Sequence, residues 1–240
     1  MYAYLNAFED FERYDISSLR ICRVGGAPMP VEMQRVFEQR AGAAIIEGWG
    51  CTGWTGTSNP LNGERAIGSI GKALGELDPS INTEIRIVDD DGHDVSPGAE
   101  GEVVIRGDQI PKGFWRMPNK TASDYRAGWF HTGDIGRRDE RGFIFLVGRK
   151  DDLIITAGFN VYPREVEEVL FAHPAVADVA VVGIPDGDKG QSIKAFVVRK
   201  PGIDTSEAAL VEHCRSQLAK YKAPRAIEFL DALPKTASGK

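Results

Sequence analysis

Apolar and polar positions change their spacing along this chain, and each change marks a predicted element. Residues 19–24 (LRICRV) alternate into an apolar strand that runs straight into a Gly-Gly-Ala-Pro turn. Val31, Met33, Val36 and Phe37 then recur near helical spacing, predicting a helix over 30–40, and residues 44–50 (AIIEGWG) return as a second strand. Strand, Gly-rich turn, helix, strand is the order of a right-handed parallel crossover. Ligands of such sheets gather at the carboxyl ends of the strands, where both Gly-rich turns are expected. From about residue 75 to 146 the period drops to two. TEIRIVDD, EGEVVIRG and GFIFLVG are separated by turns at DDDG, SPG and DERG, which predicts a small antiparallel sheet or barrel.

The pattern changes again after residue 148. Leu153, Ile154 and Ile155 are too short a run for a helix and are bounded by charge before and Ala157-Gly158 after, which predicts one strand and a tight turn. Pro163 suits a first helical position, Glu165, Glu167 and Glu168 favour the positive helix end, and Val166, Val169 and Leu170 share a face. Strands ADVAVVGI and SIKAFVVRK follow, then a helix over 205–220 capped by Asp204 or Thr205 with Leu210, Val211, Cys214 and Leu218 inward, and a last strand over 226–230. Residues 1–17 carry aromatic and acidic side chains without clear caps, which reads as the middle of a larger domain.

Composition narrows the function classes. The 240 residues hold 42% hydrophobic positions, enough for one large or two modest cores, and the net charge of 29 minus 35, or -6, comes without a basic run, which disfavours nucleic acid. Apolar runs are strand-sized and the N-terminus lacks a charged-then-apolar leader, so neither a membrane span nor a signal peptide is expected, and the expected setting is cytoplasmic. Cys22, Cys51 and Cys214 are odd in number and far apart, which fits reduced thiols. His93, His131, His173 and His213 show no metal-ligand spacing, and no metal site is assigned.

Four short stretches are candidates for chemistry. Gly25-Gly26-Ala27-Pro28 follows the first strand, where glycine permits a turn. The second stretch is Glu47-Gly48-Trp49-Gly50-Cys51-Thr52-Gly53, and the third is Gly128-Trp129-Phe130-His131-Thr132-Gly133-Asp134, in which an Asp after a Gly turn commonly bonds local backbone. The last is Pro234 to Lys240, PKTASGK, whose terminal lysine is by itself an ordinary solvated tail residue.

In this order and spacing, together with GRKDDLIITAGFNVYPREVEE at 148–168, these stretches resemble the adenylate-forming superfamily: acyl-CoA and aryl-CoA synthetases, firefly-type luciferases and peptide-synthetase adenylation domains. The resemblance covers residues 25–240 and implies the C-terminal half of such an enzyme. The implied fold class is α/β plus α+β: residues 1–74 end a large parallel-sheet domain, 75–148 form a small antiparallel β-barrel-like subdomain, and 149–240 form a mobile C-terminal α+β domain after a hinge at Asp151. It implies ATP or AMP binding by Gly25, Gly26, Ala27, Pro28, Glu47, Gly48, Trp49, Gly50, Thr52, Asp134, Arg149 and Asn160. Within that set, Trp49 stacks on adenine, Thr52 holds phosphate and Asp134 accepts from both ribose hydroxyls. Lys240 is the implied catalytic cation, and Ala157 and Gly158, with Asn160 on the same loop, line the passage for CoA.

The implied reaction joins a carboxylic acid, by default a fatty acid, to CoA through an acyl-adenylate, with ATP, CoA and Mg2+ as cofactors and an isolated chain of little activity. One position departs: Gly53 stands where the family has the glutamate that holds magnesium, and glycine has no side-chain oxygen to replace it. A non-catalytic nucleotide-binding module, an inert interaction fragment and a peptide-synthetase-type domain stand as alternatives, and homo-oligomerisation is left open.

Overall fold

The computed structural model describes residues 1–27, 29–51, 54–187 and 190–236. The chain divides into two compact units, Met1–Leu146 and Val147–Lys240.

In the first unit, α1 (Tyr2–Ala7) precedes β1 (Cys22–Val24), α2 (Val31–Ala41) and β2 (Ile45–Cys51). β1 and β2 pair in parallel, Cys22 opposite Ile45 and Val24 opposite Glu47, so the expected crossover forms. It forms because α2 turns Phe37 inward, 2% exposed, onto a cluster with Met29, Cys22 and Ile45. Burying a side chain of that size contributes about 1.5–3 kcal/mol. Gly42, at φ 62, ends the helix in the left-handed region that glycine tolerates. β3 (Trp54–Ser58) and β4 (Lys72–Ala73) complete the sheet in the order β1-β2-β3-β4, and only the β1–β2 pair is parallel.

The short helix α3 (Leu74–Leu77) leads to β5 (Thr83–Val88), β6 (Glu100–Gly107), α4 (Pro118–Asp124), β7 (Tyr125–Arg126), β8 (Trp129–Arg138) and β9 (Ile144–Arg149). The strands form an antiparallel sheet in the order β5-β6-β8-β7, with β9 also on β8. Val103 and Ile105 of β6 are wholly buried, packing with Ile85, Ile87, Trp54 and Ile144.

In the second unit, β10 (Ile154–Thr156) and β11 (Phe159–Val161) make a hairpin before α5 (Pro163–Phe171). β12 (Val176–Asp186), β13 (Gly190–Arg199), α6 (Glu207–Gln217) and β14 (Ala226–Phe229) follow. The sheet runs β11-β10-β13-β12, with β14 parallel to β13. Val166 and Leu170 of α5 and Leu210 and Cys214 of α6, all 0% exposed, cover it.

Three details differ from the sequence reading. The hairpin partner β11 was not expected, since Asn160 interrupts its apolar run. α6 is capped by Ser206, whose hydroxyl accepts from Ala209 N at 3.2 Å, and not by Asp204 or Thr205. Asp134 does not follow a turn but lies inside the ten-residue strand β8. Gly48, Trp49 and Gly50 continue β2 as the strand expected over 44–50, because β3 folds back and pairs with them, Gly48 opposite Ser58. Among the described residues no helix is long and apolar enough to cross a membrane.

Candidate functional site

Two irregularities in the sheets of the first unit converge on one hydrogen bond. On β2–β3, Trp49 faces Thr57 while Gly50 faces Thr55, so Gly56 is an extra residue on β3 and the ladder bulges. A Cβ on Gly56 would lie 3.0 Å from Trp49 Cζ3, 3.2 Å from Trp54 Cζ3 and 2.7 Å from Ile105 Cδ1. Only a missing side chain leaves room for the two indoles to meet edge to face, centroids 5.0 Å apart at 77°. Thr57 repairs the ladder: its hydroxyl accepts from Trp49 N at 3.1 Å and donates to Ile70 O at 2.6 Å.

The second irregularity is on β8. Glu102 of β6 faces Ile135 and Val104 faces His131, so residues 132–134 stand opposite the single Val103. Gly133 adopts φ 72, a conformation open to glycine. Thr132 Oγ1 donates to Val103 O at 2.7 Å and accepts from Asp134 N at 3.0 Å, and Gly133 N donates to Glu102 Oε1 at 3.2 Å. Thr-Gly-Asp is therefore a bulge whose threonine replaces a ladder bond and whose glycine redirects the chain, presenting the aspartate. Trp49 Nε1 donates to Asp134 Oδ2 at 2.9 Å across 85 residues of sequence. A hydrogen bond to a charged acceptor in a half-buried place is worth about 1.5–3 kcal/mol.

The first Gly-rich motif lies beside the second. Parallel pairing sets Val24 next to Glu47, and a Cβ on Gly25 would be 3.2 Å from Gly48 O. Gly26 takes φ 82, and Gly25, Gly26 and Ala27 are exposed. Glu47, 3% exposed, accepts through its backbone carbonyl from Asn59 N at 2.8 Å. Gly50 admits β3: a Cβ there would lie 2.3 Å from Trp54 O. The structure thus brings Gly25, Gly48, Trp49 and Asp134 together, while Pro28, Thr52, Gly53 and Lys240 lie outside the described residues.

The remaining candidates belong to the second unit. Arg149 ends β9, and Asp151 sits in a 3-10 turn over Lys150–Asp152. Ala157 and Gly158, at φ 49 and 83, are the two-residue turn of the β10–β11 hairpin, and Asn160 pairs with Ile155; all three are exposed.

Sequence reading missed two supports of the aspartate. Glu102, 8% exposed, holds Gly133 N and meets His131 Nδ1 at 3.2 Å, and Arg126 Nη2 meets the same ring nitrogen at 2.7 Å. Gly56 is the second. An isolated glycine inside an alternating run is the signal that could have found it, because it marks a bulge. Against the expected absence of a histidine metal spacing, Asp89, Asp91 and His93 do gather ligand atoms within 4.8 Å, all exposed. Asp89 Oδ1 accepts from the backbone N of Asp91 and of His93, an arrangement that a polar turn makes for itself.

The first unit is thus an α/β unit in which a Gly-rich turn after β1 lies beside a strand whose tryptophan holds a carboxylate presented from a bulge. The AMP-binding enzyme family model matches residues 1–115, and that of the AMP-binding enzyme C-terminal domain matches 165–240. The chain belongs to the AMP-binding enzyme family. It is 41% identical over 233 residues to a long-chain-fatty-acid–CoA ligase of Bacillus subtilis, covering 96% of this chain and 41% of that protein. A feruloyl-CoA synthase of Amycolatopsis is 39% identical over 240 residues, covering all of this chain and 48% of that one. Among solved structures, an anthranilate CoA ligase in complex with anthranoyl-AMP superposes with TM-score 0.88 at 37% identity, covering 100% of this chain and 46% of the other. The chain therefore spans less than half the length of these relatives.

Proposed function

We propose that this chain carries the nucleotide- and CoA-handling part of an AMP-forming acid–thiol ligase. The observation that carries the reading is the Trp49–Asp134 bond, which unites two motifs distant in sequence beside Gly25. In this reading Asp134 takes the ribose hydroxyls, since a carboxylate is a two-oxygen acceptor for donors on adjacent carbons. Trp49 offers its ring to adenine, and the Gly25–Pro28 turn and Thr52 lie against the base and phosphates. The acid's carboxylate attacks the α-phosphorus of ATP and pyrophosphate leaves. Lys240 stabilises the negative charge that moves between those groups. The CoA thiol then attacks the acyl carbon and AMP leaves, with Ala157, Gly158 and Asn160 lining the thiol's approach and Arg149 contacting the nucleotide. Asp151, at the start of the second compact unit, is the hinge between the two steps.

The residues do not fit the family's magnesium at Gly53, whose side chain provides no oxygen, so no step is assigned to a metal there. The acid is a fatty acid in the reading the fatty-acid ligase relative supports, although the feruloyl relative is about as similar. Because the relatives are more than twice as long, the 240 residues alone are expected to bind nucleotide with little turnover. Gly53 also favours a second reading, a nucleotide-binding module without catalysis. Calorimetric titration with AMP together with ATP–pyrophosphate exchange separates them. AMP binding that Asp134→Ala weakens at least tenfold supports the site, exchange activity favours the enzyme, and an Asp134→Ala chain that binds AMP as well as the parent refutes the assignment.

A further inference from the structure

The geometry points to a role for Trp49 separate from stacking: we infer that its indole N–H is a positioning group for Asp134, holding the carboxylate in the one orientation that receives a ribose. The inference rests on the proposed nucleotide reading and deepens it. Three observations carry it. Nε1 lies 2.9 Å from Oδ2, a distance for a charge-assisted bond. The indole has little freedom to point elsewhere, since its six-membered ring packs edge to face on Trp54 and fills the space a Gly56 side chain would take. The aspartate starts from a bulge, where β8 departs from regular pairing, so the strand ladder does not dictate where its carboxylate points. A carboxylate already oriented by the indole spares the ligand the cost of ordering the side chain.

Phenylalanine keeps an aromatic face but has no donor, so Trp49→Phe separates the two roles. AMP and 2′,3′-dideoxy-AMP share the base and phosphate and differ only in the hydroxyls that Asp134 would accept. The 240-residue chain and its Trp49→Phe form are titrated with both by calorimetry. The expected result is that Trp49→Phe weakens AMP about tenfold and leaves dideoxy-AMP within about twofold. An equal loss for both ligands means the ring acts by stacking or folding alone and overturns the inference while sparing the nucleotide site. Failure of the unaltered chain to bind AMP overturns both.

A ligand-free readout guards against a variant that misfolds. In nitrogen-15 spectra of the parent, one tryptophan indole signal is expected to move upfield and lose exchange protection in Asp134→Asn, whose neutral amide accepts more weakly. Four indole signals unmoved by Asp134→Asn would overturn the inference as well.

Discussion

Three thiols that look equivalent in the sequence have different chemistry. Cys214 is wholly buried on the inward face of α6, and burial pushes its thiol up to about 11. Cys22 is raised too, first by burial and then by the charge of Glu38. Cys51, at the end of β2, is exposed. Since the thiolate is the reactive form, Ellman's reagent at pH 8 is expected to label one thiol quickly in the native chain. Cys51→Ser should remove that phase, and the other two should react only after unfolding. Fast labelling that survives Cys51→Ser would contradict the burial assigned here. Oddness and spacing were enough to read all three as reduced. Which one is reactive depends on what packs over it, and sequence spacing carries no such information.

The end of α6 shows how an element's boundary is decided. Asp204, Thr205 and Ser206 are all cap-forming types in a row, so local chemistry offers three starts. The choice falls to the helix's inward face: Leu210 and Cys214, four apart, are both 0% exposed, and Asp204 is drawn instead to Arg199 at 2.9 Å. Ser206→Ala should therefore cost about 1 kcal/mol in denaturant unfolding, and Thr205→Ala much less. Equal costs would place the cap elsewhere. The same competition explains β8. Gly128 and Gly133 read locally as turns, but the chain continues through Gly133 because Ile135 and His131 on either side pair with β6. The helix over 31–41 and the strand over 226–229 were legible because in them local spacing and tertiary burial agree.

At the scale of the molecule, the second unit has a closed core of its own, from Ile154 through Ile227. Residues 147–240 expressed alone are expected to melt cooperatively; a broad, uncooperative profile would refute independent folding. Glu167 of α5 adds a pH signature. Burial raises its carboxyl above the ordinary carboxylate range, against the backbone bond from Val181 N at 2.9 Å and the attraction of Arg164. The folded state thus holds this proton more tightly than the unfolded chain, which ionises near about 4.3. Its stabilising contribution is complete below that pH and is lost as pH rises through the folded value. Glu167→Gln keeps an acceptor for Val181 and removes the charge, so it should raise the melting temperature near pH 7, by less as the pH falls. A gain that grows toward acid would reverse the sign of this argument.

The sequence by itself determined the elements in which periodicity is long and uninterrupted, the division of character between a crossover, an antiparallel middle and an α+β end, and the motif residues whose resemblance pointed to the AMP-binding enzymes. Tertiary structure alone decided that Asp134 lies within a strand, that Gly56 and Gly133 make two bulges, and that an indole meets a carboxylate. The reason is physical. Hydrophobic spacing is a property of neighbours a few residues apart, whereas a bulge and its hydrogen bonds are settled by cross-strand partners, Glu102 for Gly133 and Asp134 for Trp49, that only the folded chain brings within reach.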